Sequence, residues 1–276
     1  MRRPDVVEAT EAVLCRAQIS LPGWVVRSIE SALRRERNEI ARYHLEAILN
    51  NIRIAESDAR PVCQDTGLPV FRVEIGERCS LDFDLWEAIA EGVRMATGKG
   101  MLRPNVVDPL SRSNTGDNTG PGMPCLIVDH VTGESLRITA FPKGAGSENM
   151  SFLGMLNPAD DPFEYILKNL EERVSNACPP VFVGIGMGGT FDQAAALAKR
   201  AIMGVPGESE EELLLLERIN GLGIGPMGLG GDTTALGVRI ERAFCHTASL
   251  PVAVNLQCWA NRRATARVTE DGWSIE

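Results

Sequence analysis

The sequence predicts a mixed α/β fold, with an N-terminal helical region followed by small β-sheets surrounded by helices. Three observations carry this. Apolar residues recur at helical spacing from Trp24 to about Ala59. The last hundred residues alternate strand-like runs with helical ones. Between them lie polar, glycine-punctuated loops too long to be simple connections. With no internal repeat and no clear linker, residues 1–276 are expected to form one domain.

In the N-terminal region, Val25, Ile29, Leu33, Ile40, Tyr43, Leu45, Ile48 and Ile52 mark one face of one long helix or two. The Arg34–Arg37 run reads as a solvated face. Residues 68–76 read as a strand closed by Gly76, and residues 85–98 as a helix capped by Asp84 and Gly98. Residues 125–131 and 136–141 are expected to form a hairpin through Thr132-Gly133. Helices are expected near 162–176, from Thr190 to Gly204 and over 208–219; strands near 181–186, 236–244, 252–258 and 264–268.

Composition excludes several function classes. Net charge is −9 and no basic block or aromatic-interleaved basic patch appears, which disfavours nucleic-acid binding. The first residues lack an apolar run of signal-peptide or membrane length, so a cytoplasmic protein is expected, without a membrane segment. Seven cysteines, none in C-x-x-C spacing, are expected to be reduced thiols rather than a disulfide framework or a zinc ribbon. Cys15, Cys79 and Cys125 read as small apolar side chains.

The stretch Cys63-Gln64-Asp65-Thr66-Gly67 sets a thiol, an amide, a carboxylate and a hydroxyl on one loop. It is either an ordinary turn or a site in which Cys63 binds an iron–sulfur cluster and its neighbours grip a substrate. Cys178 and Cys258 share its setting at the edge of a strand pattern, although spacing alone does not select these three thiols from seven. Three thiolates leave one iron of a cubane open, and an open metal is a Lewis acid. Gly184, Gly186 and Gly189 give a G-x-G-x-x-G pattern, but no second strand with a terminal acid follows at the required distance, so dinucleotide binding is the lesser alternative. His44 and His130 read as incidental. His246 stands in polar surroundings and reads as either structural or functional.

Five ordered motifs carry a resemblance: residues 63–67, 142–149, 178–190, 223–236 and 246–263. Together they resemble the iron–sulfur hydro-lyases, in particular the α subunit of two-subunit class I fumarase and of L(+)-tartrate dehydratase. The resemblance implies the α-domain fold of that class and a 4Fe–4S cluster held by Cys63, Cys178 and Cys258. It implies substrate contacts from Gln64, Asp65, Arg103, Gly146 and His246, with Asp65 and His246 as the catalytic candidates. It implies a small dicarboxylate substrate, a β subunit that supplies further groups including a proposed base, and an α2β2 or similar oligomer. Hydration of fumarate to L-malate is the expected reaction, with L(+)-tartrate dehydration or non-catalytic metabolite binding as alternatives. The chain departs from the family at Ala145, where the middle one of three consecutive glycines is usual.

Overall fold

The computed structural model describes residues 1–276. In chain order, the first half contains α1 (Arg3–Ile19), α2 (Gly23–Arg35), α3 (Glu39–Ser57), β1 (Leu68–Gly76), α4 (Leu85–Gly98), β2 (Cys125–Val131) and β3 (Leu136–Lys143). There follow α5 (Ala145–Asn149), β4 (Phe152–Leu156), α6 (Pro162–Arg173), β5 (Val181–Met187), α7 (Phe191–Met203) and α8 (Glu210–Asn220). The chain closes with β6 (Ala235–Arg242), β7 (Leu250–Gln257), β8 (Ala264–Thr269) and β9 (Gly272–Ile275). The mixed α/β class is as the sequence predicts. No helix is long and apolar enough to cross a membrane.

The chain divides into two compact units. The first comprises Met1–Pro22, Asn51–Gly144 and Arg262–Glu276; the second comprises Gly23–Asn50 and Ala145–Asn261.

The first unit is built on a five-stranded sheet of order β2-β1-β3-β8-β9. The expected β2–β3 hairpin does not form, because β1 lies between the two strands, parallel to β2 and antiparallel to β3. The connection after Val131 opens around the end of β1 and takes its backbone groups. Gly76 N–H donates to Ser135 O, and Arg78 N–H donates to Gly133 O. A side chain at Gly76 would stand 2.6 Å from Gly133 O, so this glycine lets the connection fold over the strand end. Helix α1 covers the sheet, with Val6, Ala9, Val13, Leu14 and Ala17 fully buried beside Phe71, Val73, Leu136 and Ile138. Its periodicity is hidden in the sequence because Asp5, Thr10 and Gln18 are buried along with the apolar residues, leaving no single apolar stripe.

The second unit holds a four-stranded sheet of order β4-β7-β5-β6, in which β5 and β6 run parallel. The helical stretch from Trp24 is two helices. Glu36, expected in a solvated run, is instead buried, and its carboxylate accepts the backbone N–H groups of Arg37, Asn38 and Asp232. Asn38 Oδ1 then accepts the N–H groups of Ile40 and Ala41 and starts α3. The G-x-G-x-x-G glycines have a packing cause. A side chain at Gly184 would meet Ile202 N at 2.5 Å, and one at Gly186 would meet Ala194 O at 2.1 Å. They let α7 lie close against β5.

Ser209 and Glu212 form a capping box at the start of α8, and Glu212 Oε1 also accepts from Ile240 N–H of β6. Burial opposes ionisation of Glu212, but the hydrogen bonds from Ile240 and Ser209 outweigh it and hold its carboxyl below the usual range. The stability this supplies is present above the ordinary glutamate pKa and is lost as pH falls through the lower folded value. Glu212→Gln should therefore reduce stability near neutral pH and flatten its decline on acidification. Urea midpoints measured across the acid range test this.

Candidate active site

In the first unit, the Cys63 loop is fixed from three sides. Gln18, fully buried on α1, accepts Val62 N–H on its backbone oxygen (2.8 Å) and donates from Nε2 to Thr66 O (2.9 Å). Its Oε1 accepts from Nη1 of buried Arg262 (3.0 Å). Thr66 Oγ1, also buried, accepts Arg103 N–H (2.9 Å) and Asn105 Nδ2 (3.2 Å). Asn118 is fully buried inside the 99–124 loop; it accepts from Asn105 and Val106 N–H and donates to Arg103 O and Thr97 Oγ1. That long loop is thus ordered by its own polar side chains, and it holds Arg103 beside the Cys63 loop. The Arg103 side chain itself is exposed.

Gly67 (φ +79°) completes the turn. A side chain there would come within 2.8 Å of the Pro142 and Lys143 backbone. Asp65 Oδ1 accepts Gly67 N–H (2.9 Å), while Oδ2 faces Gly144, at 3.1 Å from where a side chain on that glycine would begin. Cys63 and Asp65 are half-buried and Gln64 is exposed. Cys63, Gln64, Asp65 and Arg103 therefore share one edge of this unit.

In the second unit, the strand register brings three predicted residues to one end of the sheet. Gln257 pairs with Phe182, so Cys258 lies beside the start of β5, and Cys178 precedes that start by three residues. Phe152 pairs with Val254, which sets α5 and its Gly146 at the same end. Glu148 and Ser151 tie this segment to β7 through Asn255 Nδ2 and Leu256 N–H. A side chain at Gly146 would meet only Asn176 O, at 4.0 Å, so the fold does not need this glycine for its own packing. Its bare backbone leaves open space on the side of Asn176, two residues before Cys178. Ala145, the departure from the family pattern, is exposed. Cys178 has left-handed backbone geometry (φ 54°, ψ 63°), rare outside glycine and concentrated at ligand-binding positions. Cys178 is exposed and Cys258 half-buried.

His246 lies elsewhere. It sits on the β6–β7 connection, at the end of the sheet where Met187 pairs with Arg242 and Val252. The eight residues of β7 separate it from Cys258, roughly 25 Å at strand rise. Its side chain is exposed, and its Nδ1 accepts Ala248 N–H. The second unit does not bring it to its two thiols.

Sequence reasoning passed over Gln18, Asn105, Asn118, Gln257 and Arg262. Each is a polar residue that positions a neighbour, and all but the half-buried Asn105 are buried. The last two fall inside a quoted motif, adjacent or close to Cys258, which is the one signal that marks them. The three thiols suit an iron–sulfur cluster by donor chemistry: soft ligands on fixed backbone, with an amide donor on one sulfur (Gln257 Nε2 to Cys258 Sγ, 3.6 Å). Within neither unit do three His, Cys, Asp or Glu side chains gather in an arrangement that could hold a metal ion.

Comparison with known proteins fixes the class first. The family described as "Fumarate hydratase (Fumerase)" matches residues 7–267, and the protein is a hydro-lyase. A protein of Methanocaldococcus jannaschii named "Putative L(+)-tartrate dehydratase subunit alpha" is 47% identical over 92% of this chain and 94% of its own length. Proteins named L(+)-tartrate dehydratase subunit alpha from Escherichia coli and Shigella boydii are 36% and 35% identical, each over 91% of this chain and 86% of their own length. The chain belongs to the fumarate hydratase (Fumerase) family.

Proposed function

We propose that this chain is the α subunit of a 4Fe–4S hydro-lyase that, with a β subunit, interconverts fumarate and L-malate. The observation that supports it best is the convergence of Gly146, Cys178 and Cys258 at one end of the second unit's sheet. Cys63, Cys178 and Cys258 would hold the cluster, which when bound supplies a Lewis acid toward the substrate hydroxyl.

The chain's own residues do the rest. The exposed Arg103 guanidinium, its backbone pinned by Thr66, offers a planar fork to a carboxylate. Gln64 presents an amide from the same loop. Asp65 is the proton acceptor we assign on this chain, with the β subunit's groups as rivals for that role. Gly146 lets substrate approach the backbone. His246 remains a candidate on the resemblance alone, since the register sets it at the other end of the sheet. Gln64, Arg103, Gly146 and Cys178 are all exposed, as half of a shared active site should be, which supports a β partner. The proposed assembly is α2β2 or similar and works in the cytoplasm. The whole of residues 1–276 would act as one functional domain.

L(+)-Tartrate is the second reading, favoured by the names of the relatives. Anaerobic assay of the complex with L-malate, fumarate and L(+)-tartrate separates the two. Arg103→Lys should lower kcat/KM by about 10–100-fold and leave cluster content unchanged, because lysine carries the charge without the fork. Parallel loss of iron and activity would make Arg103 structural.

A further inference from the structure

Gln257 is fully buried, and its side chain is not divided evenly among partners. Nε2 lies 3.0 Å from Ala260 O and 3.6 Å from Cys258 Sγ, while Oε1 is buried with no hydrogen-bond partner. The orientation of the amide follows from chemistry. Ala260 O only accepts, so the nitrogen must face it; the reversed amide would set two oxygens against each other. An amide nitrogen carries two hydrogens. One goes to Ala260 O, and the other faces the sulfur.

A buried carbonyl left without a partner is unfavourable, and an apolar side chain of the same length would avoid it. On β7, Val252, Val254 and Leu256 are buried without polar side chains, and the buried Asn255 has its amide nitrogen bonded to Glu148 and Ser151. The N–H directed at sulfur is what the glutamine adds to the Ala260 contact. We propose that Gln257 is a positioning residue for the cluster, donating an N–H···S hydrogen bond that fixes the Cys258 sulfur and stabilises the electron-rich, reduced cluster. This rests on the reading of Cys258 as a cluster ligand. Hydrogen bonds to ligand sulfurs are one of the means by which a protein sets a cluster's potential.

The test uses the anaerobically reconstituted complex with and without Gln257→Met, which keeps the chain length and removes both the donor and the orphan carbonyl. Wild-type protein that takes up no cluster defeats the underlying reading. Given a wild-type cluster, the variant should show a more negative midpoint potential by EPR-monitored titration and several-fold faster iron release to a chelator. A folded variant with wild-type potential and release rate overturns the inference and leaves Gln257 as a turn brace for Ala260. A second measurement needs no change at 257. In a Gln64→Met background with glutamine side chains labelled by nitrogen-15, electron–nuclear double resonance of the reduced cluster should show a coupled side-chain nitrogen. Absence of that coupling also overturns the inference, including where Gln257→Met fails to fold.

Discussion

Cys178→Ser and Cys258→Ser are each expected to abolish stable cluster retention and lower turnover by more than about 100-fold, and Cys63→Ser to do the same. Cys15→Ser should leave both near the wild-type level. The contrast lies in the settings of these thiols. Cys178 and Cys258 meet at one end of a sheet, one exposed on left-handed backbone and the other beside an amide donor. Cys63 stands on a loop whose neighbours on either side, Val62 and Thr66, are tied to Gln18. Cys15 instead packs against the core of the first unit, where burial first and the nearby Glu11 second push its thiol pKa up and keep it protonated. Iron and sulfide content after anaerobic reconstitution, read beside activity, checks the series. Loss of the cluster in Cys15→Ser alone would overturn the ligand assignment.

Gly67→Ala is expected to destabilise the chain by about 2–4 kcal/mol, the sum of a left-handed backbone penalty and a forced backbone shift. The new methyl group would stand 2.8 Å from the Lys143 backbone, in the strand that pairs with Leu68. Denaturant midpoints measure the loss. The substitution should also weaken cluster retention, because Gly67 N–H holds Asp65 and Gly67 O accepts from Asn105, the residue that also binds Thr66. A stability loss below about 0.5 kcal/mol would show that the turn is soft and does not position the loop.

Much of this architecture is legible in the sequence, for reasons that differ by element. β1 and α4 are read almost residue by residue, because Gly76 and Asp84 mark their ends with a steric and a capping cause. α1 is not legible, since burial around most of its surface erases the stripe that periodicity detects. Strand order is not legible either. Nothing local in 125–141 says that β1 will enter between β2 and β3, because that depends on the ladders that residues 68–76 form with both strands. Motifs single out the candidate thiols and the resemblance Arg103, while the buried polar residues around them look like ordinary surface polarity in a one-dimensional reading. Asn118 is an example: within a loop rich in Asn, Asp and Ser, only the fold shows that it is the one with every hydrogen bond made inside. His246 and Cys258 stand twelve residues apart in one motif, and the extended strand between them sets them at opposite ends of the sheet.

The central claim is that this chain supplies three thiolates to a cluster whose fourth iron is left for substrate. Mössbauer spectroscopy of the iron-57-reconstituted complex, with and without substrate, tests it most directly. The account predicts that one iron site in four changes its parameters when L-malate or L(+)-tartrate is added, and the other three do not. Four iron sites indifferent to substrate, or wild-type protein that binds no iron, would contradict it.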